Sequence, residues 1–125
     1  MIYVWVGIAG ALGASLRYLL SIWMYGADQY FPFSTLSVNL IGSFFLAWFT
    51  YTAFTKLQMS SQLKTAAATG FLGSFTTFST FSLETVILLE NSEFLLALIY
   101  VTLSMTGGYS LSYLGCLLGK RRWAA

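Results

Sequence analysis

Four long apolar stretches joined by short polar connections leave this chain few ways to fold. They run from about Ile2 to Tyr25, Phe33 to Phe54, Leu63 to Leu89 and Phe94 to Gly119. Each reaches the ~20 apolar residues that an α-helix needs to cross the hydrocarbon core of a bilayer. Half of the ten charged residues lie in or beside the connections: Asp28 in the first, Lys56 and Lys64 around the second, Glu90 and Glu93 in the third. Only 8% of the 125 residues are charged, 58% are hydrophobic, and the mean hydropathy is +0.75. A soluble domain covers itself with roughly a quarter charged residues, so this one must be solvated by lipid. The expected fold is an all-α integral membrane domain over residues 1–125, with four transmembrane helices and little chain left for a water-soluble part. The first stretch is expected to remain a spanning helix, because Arg17 sits inside it and not before it, the wrong order for a signal peptide.

An even number of crossings puts both termini and the second connection on one side. That side collects Lys56, Lys64, Lys120, Arg121 and Arg122, whereas Asp28, Glu90 and Glu93 collect opposite, with Arg17 nearer to them. Basic residues stay on the cytoplasmic face, so the expectation is a multi-pass protein of the cell membrane with cytoplasmic termini. The same residues account for the only basic cluster as a membrane flank, and no nucleic-acid partner is expected. With no histidine, serine–histidine and cysteine–histidine nucleophiles are unavailable. Cys116, the single cysteine, reads as a buried inert thiol. No enzyme is expected.

A polar side chain inside the membrane is costly without a partner, so each one is a candidate site. Gly7, Gly10 and Gly13 make a flat stripe on the first helix that suits close packing, and Arg17 follows them. Arg17 either snorkels to the interface or supplies a positive field for an anion. Asn39 follows Thr35 on the second helix; its amide can tie helices together or donate to an anion, and spacing does not choose. The third helix carries two glycines and seven hydroxyls between Thr69 and Ser82, which predicts a break at mid-membrane depth. Carbonyls exposed there can bind a small cation. Phe75, Phe78 and Phe81 recur every third residue and would share one side of a regular helix, for packing or for presenting ring edges to an anion. On the fourth helix, Thr102, Thr106 and Ser110 form one stripe and Ser104, Gly108 and Ser112 a neighbouring one; either lines a pathway or bonds to its own backbone.

Three ordered motifs carry a resemblance over essentially the whole chain. They are Gly-Ala-Leu-Gly-Ala-Ser-Leu-Arg-Tyr at Gly10–Tyr18, Ser-Thr-Leu-Ser-Val-Asn-Leu-Ile-Gly-Ser at Ser34–Ser43, and Gly-Phe-Leu-Gly-Ser-Phe-Thr-Thr-Phe-Ser-Thr-Phe-Ser at Gly70–Ser82. The chain resembles the Fluc-type fluoride channels of microorganisms. The resemblance implies an antiparallel dimer with two fluoride pathways and a sodium ion (Na+) at its centre. It implies that Gly73 and Thr76 hold the sodium through backbone carbonyls, and that Phe78 and Phe81 turn ring edges toward fluoride. Asn39 matches the pore-lining amide and Arg17 the first-helix arginine. Ser79, Thr80 and Glu84 match further pathway positions, and Tyr100, Ser104 and Ser112 a polar track, from which Gly108 departs by lacking a hydroxyl.

Hydroxyls, an amide and ring edges are weak donors, able to replace the tightly held water of fluoride without trapping the ion. The expected function is passive, fluoride-selective export that lowers cytoplasmic fluoride. No nucleotide-binding Gly-x-x-x-x-Gly-Lys motif is present. A small four-helix proton-coupled drug exporter is the nearest rival, but it calls for a buried acid where the first helix offers only Arg17. A non-transporting assembly subunit, using its glycines and hydroxyls for packing alone, is the other. The one-sided basic bias favours a single insertion orientation and a homologous, oppositely inserted partner over a second copy of this chain.

Overall fold

The computed structural model describes residues 1–26 and 30–121, apart from the Phe54 side chain; Asp28 and Arg122 lie outside the described residues. The regular secondary structure of the described residues is helical. Helix α1 spans Ile2–Trp23, α2 Phe33–Thr55, α3 Ser61–Thr65, α4 Gly73–Phe75, α5 Ser79–Glu90 and α6 Phe94–Arg121. Between α3 and α4 the backbone winds in wide π-type turns over Ala66–Leu72. Four helical segments are long and apolar enough to cross a membrane: α1, α2, the composite stretch Ser61–Glu90, and α6.

Local signals set several boundaries. Pro32 directly precedes α2, where the N–H it lacks would have no intrahelical acceptor. Ser60 caps α3, its hydroxyl accepting from the Leu63 N–H at 3.3 Å. Helix α5 ends in a tight reversal with Ser92 in the left-handed region at φ 60°. The Glu93 N–H reaches the Leu88 carbonyl at 2.8 Å and the Ser92 N–H the Leu89 carbonyl at 3.1 Å, so the chain turns straight into α6.

Close approaches between spans depend on missing side chains. A Cβ at Gly13 would lie 2.1 Å from the Phe71 carbonyl oxygen, so α1 presses directly onto the π-type turns through this position. Nothing stands within 4 Å of the corresponding point at Gly7. The α1 stripe is therefore a packing face at Gly13 and open at its start. Helices α2 and α6 lie along each other, tied by the Ser112 hydroxyl donating to the Ser43 carbonyl at 3.4 Å.

The buried cluster is small: Phe31, Leu36, Leu88, Ala97 and Tyr100, backed by Leu40, Phe81 and Leu96. Only 6% of the α1 span is buried, and rings such as Trp23 and Tyr109 stand largely exposed. An apolar exterior this extensive suits acyl chains or a second subunit, not water.

Candidate functional site

The helical ladder lapses between α4 and α5. Thr76 is extended, at φ −79° and ψ 158°, and the helix resumes at Ser79. Glycine at position 42 makes room for this segment, since a Cβ there would lie 2.1 Å from the Thr76 Cγ2 methyl. Asn39 then holds the next residue by both edges of its peptide. Its Nδ2 donates to the Thr77 carbonyl at 2.9 Å, and its Oδ1 accepts from the Thr77 N–H at 2.8 Å. Flipping the amide would set donor against donor and acceptor against acceptor, so its orientation is fixed. One N–H remains for another partner.

That amide borders a cleft of ≈ 350 Å³ lined by Asn39, Ser43, Leu46, Thr76, Thr77, Phe78, Phe81, Ser104 and Met105. Phe78 and Phe81 lie 5.9 Å apart between ring centroids, tilted by 41°. Phe78 is 78% exposed, unusual for a ring in the middle of a spanning segment. The Ser104 hydroxyl oxygen is buried with no hydrogen-bond partner among the described residues, which leaves it available to an occupant of the cleft. The Ser43 hydroxyl donates to the Asn39 carbonyl at 2.8 Å.

Behind Phe81 lies a second polar group. Tyr100 is fully buried, packs its ring 5.0 Å from that of Phe81, and donates its hydroxyl to Glu84 Oε2 at 2.7 Å. The Thr35 hydroxyl donates to Glu84 Oε1 at 2.8 Å. Two donors thus fix the carboxylate and tie α2, α5 and α6 together. Arg17 lines a separate pocket of ≈ 220 Å³ with Ala14, Tyr18, Ser21, Thr35, Val38, Thr77 and Thr80. Thr77 borders both spaces and forms the wall between them.

The structure therefore gathers Asn39, Phe78, Phe81, Ser104 and Thr76 at one cleft, and places Arg17 and Thr80 across the Thr77 wall. Ser79 is exposed beside this wall, its hydroxyl 3.3 Å from Thr77 Oγ1. Glu84 and Tyr100 stand behind the cleft, and Ser112 bonds within the α2–α6 seam. Gly73 opens α4, one turn before the lapse. One reading of spacing needs correction. Phe75 does not share a side with Phe78 and Phe81: it is buried and stacks on Phe71 at 6.4 Å and 1°, because the lapse in the helix rotates α5 relative to α4. On α6 the Thr106 hydroxyl donates to the Thr102 carbonyl at 2.7 Å, the backbone alternative for that one residue. Thr77 was not singled out by pattern. Its only signal in the sequence is its place between Thr76 and Phe78.

Residues 4–116 match the family model described as CrcB-like protein, Camphor Resistance (CrcB). A fluoride-specific ion channel FluC 1 of Desulfitobacterium hafniense (strain Y51) is 50% identical over 108 residues, covering 86% of this chain and 94% of that protein. The FluC 1 channel of Bacillus cereus (strain ATCC 14579) is 50% identical over 125 residues, covering 95% and 83%. The FluC 2 channel of Listeria innocua is 45% identical over 108 residues, covering 86% and 82%. With four apolar spans, a polar cleft built by α2, α5 and α6, and a match over nearly its full length, the chain belongs to the CrcB-like family.

Proposed function

We propose that this chain is a subunit of a fluoride-selective channel through which fluoride leaves the cell passively. The observation that carries this is the cleft itself, where the free N–H of Asn39, the orphan hydroxyl of Ser104 and the Phe78–Phe81 pair converge without any lysine or arginine. Donors of this kind stabilise a desolvated small anion weakly enough to release it. Fluoride is the ion because relatives sharing half of this sequence are named fluoride-specific channels.

The working unit is an antiparallel dimer. Phe78 stands 78% exposed beside a cleft that one subunit leaves open, and a second subunit would close it. The four described cations at the ends of α2, α3 and α6 (Lys56, Lys64, Lys120 and Arg121) set these termini on the cytoplasmic side. The bias favours a homologous chain of opposite orientation as the partner.

The interruption after α4 is the break through which sodium is held at the dimer centre, by the Gly73 and Thr76 carbonyls. Hard oxygen ligands suit that ion, and the extended backbone of Thr76 takes its carbonyl off the helical path. Bound there, the cation supplies a fixed positive charge that stabilises the apposed breaks.

Fluoride-electrode recording from liposomes tests the reading, with the opposite-orientation homologue added if the chain alone does not assemble. Native protein is expected to empty them rapidly and Phe81→Ile about tenfold more slowly, as loss of an aromatic edge contact worth about 1.4 kcal/mol implies. Equal rates would remove Phe81 from the pathway.

A further inference from the structure

Both carbonyls assigned to sodium belong to peptide units whose helical hydrogen bonds have been taken away by side chains. In an uninterrupted α-helix the Thr77 N–H would bond to the Gly73 carbonyl, and the Thr80 N–H to the Thr76 carbonyl. Neither does so here. The Thr77 N–H goes to Asn39 Oδ1 at 2.8 Å, and the Thr80 N–H goes to Thr77 Oγ1 at 3.2 Å. The Thr77 hydroxyl in turn donates to Thr80 Oγ1 at 3.1 Å, which leaves its lone pairs aimed at the Thr80 N–H.

We propose that Asn39 and Thr77 are positioning residues that create the cation site by diverting two N–H groups, each diversion releasing one carbonyl oxygen. The proposal rests on the sodium reading and adds the mechanism that makes ligands out of ordinary backbone. A carbonyl of a continuous helix has its main lone pair engaged and points along the axis, where it cannot converge with others on an ion. Interrupting the ladder without substitute acceptors would leave these N–H groups orphaned in lipid, which is costly. Side-chain acceptors solve both problems: the donors stay bonded and the carbonyls come free. Asn39 sits on α2, so the Gly73 carbonyl is released by tertiary packing, whereas Thr77 releases that of Thr76 from within the same span. Both diversions use acceptors of the same chain.

The two diversions can be undone separately. In Thr77→Ala the Thr80 N–H loses its acceptor and returns to the Thr76 carbonyl, extending α5 backward. Thr77→Ser keeps the hydroxyl. In Asn39→Ala the Thr77 N–H returns to the Gly73 carbonyl, whereas Asn39→Asp still presents an oxygen to it. The experiment is thermal unfolding of the purified dimer, titrated with Na+ against N-methylglucamine, with backbone amide exchange at Thr77 and Thr80 followed by NMR. Sodium is expected to raise the native midpoint. The apparent sodium affinity should fall about tenfold in Thr77→Ala and in Asn39→Ala, and stay within about threefold of native in Thr77→Ser and Asn39→Asp. Native sodium affinity in both alanine variants would overturn the proposal. If one alanine variant does not fold, the other decides, since each carries its own carbonyl. A native protein indifferent to sodium would overturn the sodium reading instead. The exchange data would then judge the diversion alone: Thr80 must exchange at a changed rate in Thr77→Ala and at the native rate in Thr77→Ser, and equal rates in all three would sink it.

Discussion

At the scale of single residues, the cleft is defined by what is left unsatisfied. Ser104 keeps a buried hydroxyl with no described partner, a feature that normally costs stability and is retained where a ligand completes it. Ser104→Ala is therefore expected to leave the unfolding midpoint unchanged or slightly raised while slowing fluoride efflux several-fold, a combination that a packing residue would not give. Midpoint and flux measured on one preparation check it. Much of this residue-level picture is legible in the sequence. Asn39, Phe78 and Phe81 are expected in a pathway from the motifs that hold them and Ser104 from its match to a polar track, and the structure places the four around one cleft. The dual bond from Asn39 to Thr77 is not legible, because a side chain that grips a distant backbone leaves no mark in spacing. Tyr100 and Ser112 are expected on a polar track because the resemblance implies it. Their hydroxyls bond to Glu84 and to the Ser43 carbonyl, partners that only the packing of α2, α5 and α6 brings near.

At the scale of elements, the third span is held by its neighbours more than by its own helical propensity. Helix α1 meets the π-type turns through Gly13, and α2 accommodates Thr76 through Gly42. Gly13→Ala would drive a Cβ to 2.1 Å from the Phe71 carbonyl oxygen, a backbone atom with little freedom to yield. We expect a destabilisation of about 1–3 kcal/mol from such overpacking. Gly7→Ala, with open space at the same point, should be neutral or stabilising by up to about 1 kcal/mol through helix propensity. Denaturant titration of the two variants in the same detergent checks the contrast; equal effects would mean that α1 does not bear on the π-type turns. The long apolar helices are plain from hydropathy, since length and composition alone decide whether a helix can span. The π-type winding over Ala66–Leu72 is not: nothing in the sequence AAATGFL marks an extra residue per turn, and the stretch lies where α1 approaches closely at Gly13 and Gly70. For the same reason the every-third-residue spacing of Phe75 with Phe78 and Phe81 misleads, as it presumes a helix that continues.

At the scale of the whole molecule, one subunit is an incomplete object. It exposes an apolar exterior, an open cleft and a nearly bare phenylalanine ring, while its described charges lie mostly toward the ends of its spans. In the proposed antiparallel dimer, lipid and the partner would cover these surfaces together. The central claim is that the completed cleft passes fluoride down its own gradient and refuses chloride. The most direct measurement is efflux of both anions from the same liposomes, with a potassium ionophore to clamp the potential and no proton gradient imposed. The chain is assayed alone and with an oppositely inserted homologue added. The account predicts fast fluoride efflux, with chloride retained at the rate of empty liposomes. Chloride leaving as readily as fluoride, or fluoride moving only when a proton gradient is applied, would contradict it.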